Sequence, residues 1–266
     1  MQMNGGISRY KGRTTMLRQA EIELTLPEGE KLNQSMGSVL HGALMGIISP
    51  AWATAMHEEK VRPYSQYVTL KEGKLYWRIQ TLTEEAFDEI LVPLMKQSQL
   101  TLKQRGYPVG LSHFRIARQE TFADIEERCW SGRRIHHIDM DFLTSTSFKT
   151  NGTYAIFPDP RLLFVSLVRK WNAFSDASII DEPDLIDHLA SQLDISDYHL
   201  HMHPFSVEGR RIRAFRGNVT YGFFKNDMAA SLAATLASFA MYTGIGIKTA
   251  LGMGAVETEV AYWEKK

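Results

Sequence analysis

Residues 228–262 read MAASLAATLASFAMYT, then GIGIKTALGMG, then AVETEVAY. The first piece, Met228 to Tyr242, is rich in Ala and Leu and reads as a helix capped by Asp227. The last, Ala255 to Tyr262, reads as a strand. Between them Gly244, Gly246, Gly252 and Gly254 place four glycines in eleven residues. Glycine permits positive φ and close approach of a ligand to the main chain. Exposed amides in such a loop can hold phosphate oxygens, and Lys248 and Thr249 add a cation and a hydroxyl. A P-loop runs from strand to helix, with its lysine after the final glycine. Here the order is helix, loop, strand, so the segment is not that motif. It is either a phosphate-contacting loop or a connector that needs several tight turns.

Working outward, the helix and strand complete a repeating order. Ile135 to Phe148 reads as a strand, and Asp159-Pro160 opens a helix to about Phe174. Residues 175–197 form an acidic insertion with a short helix of its own. Tyr198 to Val207 and Arg210 to Phe224 read as strands turning at Glu208-Gly209. In the first half, Leu17 to Leu26 alternates apolar and polar residues like a half-buried strand. Met36 to Met56 has helical spacing, divided by Pro50. Val61 to Leu70 and Lys74 to Leu82 pair about Lys71-Glu72-Gly73, Thr83 caps a helix reaching Leu102, and Gly110 to Thr121 is a strand. Each half thus gives strand, helix, strand, strand, helix, strand. The expected fold class is α+β, two tandem ferredoxin-like (βαββαβ) domains at 16–127 and 135–266. A flexible leader, 1–15, precedes them, and a charged, turn-prone stretch, Asp124 to Arg134, lies between.

The composition bounds the function. With 266 residues, 44% hydrophobic, two domains of ordinary size fit. Thirty basic and thirty acidic residues cancel, so a nucleic-acid partner depends on where the charge sits. A single cysteine, Cys129, excludes an internal disulfide and a Cys-rich zinc site. No apolar run approaches the roughly 20 residues that span a bilayer, and the polar start holds no signal-peptide core. The expectation is a cytoplasmic protein without membrane contact. Arg210, Arg211, Arg213 and Arg216 cluster within seven residues. On a strand Arg211 and Arg213 share one face and Arg210 and Arg216 the other, so the segment is either an RNA-gripping hairpin or a solvated one. Arg115, Arg118 and the pair Arg133-Arg134 are further basic candidates. His199, His201 and His203 alternate along one strand, the best bare metal pattern here, but with no evident carboxylate or fourth ligand. A partner-facing strand is the commoner reading, and neither a metal nor a cofactor is expected. Tyr64, Tyr67, Tyr221 and Phe215 are base-stacking candidates or simply core.

Three segments carry a family resemblance: FLTSTSF at 142–148, PRLLF at 160–164 with Leu167, Arg169 and Trp171-Asn172, and GNVTY at 217–221 with Tyr242-Thr243 and the glycine segment. They resemble the CRISPR-associated endoribonucleases that process repeat RNA, members of the repeat-associated RNA-binding superfamily built from paired ferredoxin-like domains. In the first half, MHEEKVRPYS at 56–65 is similar to the family's loop in which a histidine closes a helix before an aromatic strand. The resemblance implies that His57 is the catalytic histidine and that Arg62, or as second choice Lys60, is the supporting cation. Where some members carry a tyrosine in the preceding helix, this chain has Met45. His41 reads first as a capping or packing residue and only second as a catalytic one.

The implied activity is metal-independent cutting of CRISPR repeat RNA to release guide RNAs. RNA supplies its own nucleophile, the 2′-hydroxyl, so the enzyme need only take its proton, align the attack, stabilise the phosphate and protonate the leaving oxygen. Histidine suits the proton transfers and arginine the phosphate. Products would carry a 2′,3′-cyclic phosphate and a 5′-hydroxyl; whether His57 is acid or base stays open. Delivery to a CRISPR effector complex and pairing of two copies are further expectations. Two other readings stand beside this one: a non-catalytic subunit gripping guide RNA inside an effector complex, and a small-ligand or phosphate-binding protein that uses the glycine loop.

Overall fold

The computed structural model of the chain describes residues 15–31, 36–182, 184–207, 209–224 and 228–263. The leader up to residue 14, the turn residue Glu208 and the expected cap Asp227 lie outside the described residues. The first half runs β1 (Met16–Thr25), α1 (Met36–Leu44), α2 (Pro50–Glu58), β2 (Tyr64–Lys71) and β3 (Lys74–Thr81). It continues through α3 (Glu84–Ala86), a π-helical turn Phe87–Leu91, α4 (Val92–Leu94), β4 (Gln99–Leu102) and β5 (Tyr107–Thr121). Helix α5 (Phe122–Cys129) leads to the second half: β6 (Ile135–Thr146), β7 (Phe148–Thr150), β8 (Thr153–Ala155), α6 (Pro160–Phe174) and α7 (Leu185–Gln192). Then come β9 (Leu193–Met202), β10 (Phe205–Val207), β11 (Arg210–Ile212), β12 (Phe215–Phe223), α8 (Met228–Thr243), a 3-10 turn Thr249–Leu251 and β13 (Val256–Tyr262).

Two main antiparallel sheets result, with strand orders β2-β3-β1-β5-β4 and β13-β6-β12-β9, beside the two-stranded hairpins β7–β8 and β10–β11. In both, the first strand of the half lies between its third and its last, the ferredoxin-like arrangement; β4 is an extra edge strand on the first. The inward faces follow the strand period of two. Ala20, Ile22 and Leu24 of β1 pack with Trp77 and Ile79 of β3 beneath α1, α2 and the α3–α4 helix. Ile138, Met140 and Phe142 of β6 pack with Val219 and Tyr221 beneath α6 and α8.

The opposite face of the first sheet is also covered. Glu21, expected on the solvent side of a half-buried strand, is buried at 4% exposure, as is Gln19 at 2%. Glu21 accepts from Arg78 (2.8 Å) and Arg115 (2.5 Å). Burial raises its pKa while the two guanidiniums lower it, and the guanidiniums prevail. Arg78 (3.4 Å) and Arg118 (2.7 Å) also reach Glu257 on β13, joining the two sheets. Tyr242 Oη donates to Glu120 (2.9 Å), and Ser65 Oγ to the Tyr242 carbonyl (2.8 Å).

Several elements depart from the sequence expectation for local reasons. The helix expected to reach Leu102 ends at Leu94, because Pro93 lacks an N–H and crowds the preceding turn. The turn widens into a π bulge, with Val92 N bonding to Phe87 O, and the chain re-enters the sheet as β4. The stretch from Asp124, read as turn-prone, is mostly α5. Thr121 Oγ1 accepts from Asp124 N (3.0 Å) and Asp124 accepts from Thr121 N (2.7 Å), a reciprocal cap. The two strands expected over 198–224 are four: β9 and β12 in the main sheet, and β10–β11 as a separate short hairpin.

Candidate active site

The glycine segment ties the halves together. Gly246 (φ 77°) and Gly254 (φ 71°) occupy left-handed backbone, where any side chain is strained. A Cβ would also collide with the Ser147 carbonyl at Gly246 and with the Ile245 carbonyl at Gly254. Gly246 N donates to Ser166 Oγ (3.0 Å), Gly254 N to Ser145 O (3.0 Å), Gly244 N to Ala240 O (2.8 Å) and Gly252 N to Thr249 O (3.4 Å). All four glycines are buried. This corrects the expectation that their amides hold phosphate: the glycines fold the loop, and their donors are already used. The amides of Lys248, Thr249 and Ala250 donate to no partner among the described residues. Lys248 is exposed and itself left-handed (φ 56°).

Those three residues face the loop that carries the predicted catalytic group. A cleft of about 270 Å³ is lined by Glu59 to Arg62, by Arg169 and Lys170 of α6, and by Gly246 to Leu251. Four of these side chains are outward cations, namely Lys60, Arg62, Arg169 and Lys248, with the buried Lys170 behind them, against the single carboxylate of Glu59. The cleft is therefore suited to an anion. Its two walls interlock. Val61 packs against the second core and Ala250 against the first. Gln66 Nε2 donates to Gly37 O (2.8 Å) and Ala250 O (2.9 Å), and Gly37 lets α1 lie directly on the Leu251 carbonyl.

His57 lies in the last turn of α2, exposed, just before the cleft-lining Glu59 to Arg62. Ser49 Oγ caps the start of α2 by accepting from Trp52 N (3.3 Å), and Trp52 and Met56 anchor the helix. Arg62 is half-buried, and its Nε donates to the Met56 carbonyl (3.1 Å) beside His57. Lys60 is exposed at the cleft wall. Lys60 and Arg62 thus line one cleft with Gly246, Lys248 and Thr249, while His57 stands just before that lining, at the end of α2.

Behind them is His41 on α1, buried at 9% exposure, its Nδ1 3.2 Å from Tyr64 Oη. Burial chiefly, and the nearby positive charge of Arg62 and His57, push its pKa down to about 4, so it is neutral near pH 7. Burial pushes the Tyr64 hydroxyl up to about 12.

Sequence reading missed Arg169 and Lys170 as site residues. Lys170 is buried, and its Nζ donates to Thr243 O (3.0 Å), Gly244 O (2.9 Å) and Thr249 Oγ1 (3.5 Å), closing the carbonyl end of α8. Burial, with Arg169 beside it, pushes its pKa down to about 7. The available signal was two adjacent cations in the middle of a largely apolar helix.

Arg210, Arg211, Arg213 and Arg216 do not line the cleft. Arg210 and Arg211 are exposed on β11, Arg213 is exposed in the break that follows, and Arg216 is half-buried on β12, so the alternation expected of one strand does not hold. Their hairpin nevertheless rests on the glycine segment, with Phe205 and Ile212 packing against Met253 and Ile247. His203 falls outside β9, its Nδ1 2.8 Å from Ser145 Oγ, so the three histidines do not share one strand face. Among the described residues no three His, Cys, Asp or Glu side chains gather as a metal site. Tyr64, Tyr67, Tyr221 and Phe215 are all core, at 1–3% exposure, and not stacking platforms.

Comparison with known proteins decides the family. Over 240 residues, 90% of this chain and 76% of the relative, the chain is 31% identical to the CRISPR-associated endoribonuclease Cas6 of Mycobacterium tuberculosis. This chain belongs to the Cas6 family. It is also 31% identical to the Streptococcus thermophilus Cas6 over 230 residues, 85% of this chain and 92% of the relative. The family model for CRISPR-associated endoribonuclease Cas6 matches residues 140–256, from β6 to the start of β13. Among solved structures, a Cas6 product complex aligns with a TM-score of 0.77 at 22% identity, covering 92% of this chain and 99% of that one. Thermus thermophilus Cas6 aligns at 0.68 and 23%, covering 93% and 100%. Both confirm the paired ferredoxin-like fold seen in this Cas6 chain.

Proposed function

We propose that this Cas6 chain cuts CRISPR repeat RNA without a metal, using His57 and Arg62 at the mouth of the cationic cleft. The observation that carries the reading is the placement of His57. It is an exposed imidazole at the free end of a capped helix, beside a cleft with four outward cations and three amides that donate to no partner among the described residues. The solved Cas6 structures include product and substrate-mimic complexes, which supports an RNA strand as the occupant. The scissile phosphate sits against Arg62 and the amides of Lys248 to Ala250, in place of the glycine amides. His57 moves a proton at the 2′-hydroxyl or at the leaving 5′-oxygen, and Arg62 stabilises the charge that builds on the phosphate. Lys60, Arg169 and the Arg210–Arg213 hairpin extend the basic surface along the backbone. His41, neutral and bonded to Tyr64, supports the loop from behind. The non-catalytic alternative is not favoured, since the relatives that share most of the chain are endoribonucleases. The single cysteine, free and buried, fits work in a reducing cytoplasm.

The test is cleavage of the cognate repeat RNA in EDTA with analysis of the ends. The expected products carry a 2′,3′-cyclic phosphate and a 5′-hydroxyl, and a deoxyribose immediately 5′ of the cut blocks the reaction. A need for added divalent ion, or cutting of the deoxy-substituted RNA, contradicts the mechanism.

A further inference from the structure

The two arginines that open the second half, Arg133 and Arg134, are not used by the cleft. They lie where the start of β6 meets the end of β13, held by the bond from Trp263 N to Arg134 O (2.9 Å). The Arg133 guanidinium stands 4.0 Å from the Tyr262 ring centroid, and that of Arg134 stands 5.7 Å from the Trp263 ring. His136 meets the Trp263 ring edge-on at 4.2 Å. Arg133, Arg134, His136 and Trp263 are all exposed, Trp263 by 52%. Among the described residues neither arginine pairs with a carboxylate.

An exposed indole beside guanidiniums that have no counterion among the described residues offers an unpaired nucleotide both things it needs. The ring gives a stacking surface for a base that is free of a helix, and the cations give contacts for its phosphates. A base inside a duplex stem cannot use that ring, because its faces are already stacked. The place also fits. Strand β6 runs 12 residues from here to the glycine segment, about 40 Å at roughly 3.3 Å per residue. One RNA can therefore touch both ends of the second sheet only with different parts of its length.

We propose that Arg133, Arg134, Tyr262 and Trp263 form a second RNA site, which binds the unpaired flank of the repeat while the cleft holds the segment to be cut. The proposal rests on the reading that repeat RNA is the ligand. Its test keeps the two apart by measuring affinity, not cutting. Fluorescence anisotropy compares a repeat hairpin carrying its single-stranded flank with the same hairpin lacking it, using the full chain. Wild type binds the flanked RNA about tenfold more tightly or better, on the scale of one stacked base. Trp263→Ala brings the flanked RNA down to the affinity of the bare hairpin, and leaves binding and cutting of the bare hairpin unchanged. Arg134→Gln weakens only the flanked RNA and lowers its salt dependence by about one ion. If Trp263→Ala also lowers the melting temperature, Arg134→Gln alone decides. Equal loss for both RNAs, or no loss for either, overturns the second site. Failure of the cutting reaction is seen separately, as intact RNA of both kinds with the wild-type protein.

Discussion

Helices α2 and α6 occupy the same place in their halves, after the first strand, and begin alike. Ser49 caps one and Asp159 the other, and proline is the first helical residue of each. Their ends differ. Helix α6 runs 15 residues and buries eight of them, among them Leu163, Leu167 and Trp171. The first half breaks the same crossing between Leu44 and Pro50, so α2 is only nine residues long and buries two. Such a helix contributes little core but presents its last turn, with His57, to solvent beside the cleft. A continuous helix there would have carried the chain past the cleft. The break turns a packing element into a support for one imidazole, while its counterpart, through Lys170, anchors the opposite wall.

This contrast makes predictions of decreasing size. The largest concerns the packed helix. Leu167→Ala, at a fully buried position, should cost about 2–5 kcal/mol, read as a lowered urea midpoint. A change below about 1 kcal/mol would mean that α6 is not the core element described here. Next is the buried imidazole behind the broken crossing. His41 titrates near 6.5 when unfolded and at about 4 when folded. The unfolded state therefore binds the proton first as pH falls. Stability is fully present above pH 6.5 and is lost progressively toward pH 4, by on the order of 3 kcal/mol. Urea midpoints across that window should show a loss in wild type that His41→Gln reduces; equal loss in both would remove His41 from the account. The smallest is the pair of caps. Ser49→Ala and Asp159→Ala should each cost about 1 kcal/mol of stability, but only Ser49→Ala should slow cleavage of saturating RNA, because only α2 ends in the histidine proposed to react. Equal slowing by both would erase the functional difference between the helices.

The comparison also shows what the residues made legible. Asp159-Pro160, the break at Pro50, the Ala-rich α8 and the order of strands were readable because each is set by a local rule: a cap, a missing donor, a period. The choice of His57 as the catalytic candidate rests on resemblance, since spacing alone does not distinguish His57 from His41. Features decided by contacts across the chain were not readable. Glu21 looks like a solvent-facing strand residue until Arg78 and Arg115 cover it. The glycine amides look available until Ser145 and Ser166 accept from them. The four arginines look like one strand until the chain leaves the sheet between Met202 and Phe215. Lys170 carried no signal of its own, because nothing local says that a lysine will close the end of another helix.

The central claim is that the exposed ring at the end of α2 performs the proton transfer, and single-turnover cleavage by His57→Ala with saturating repeat RNA tests it most directly. The account predicts a rate lowered by about 10²–10⁴-fold, with RNA affinity and melting temperature close to wild type. Cleavage at the wild-type rate would contradict it.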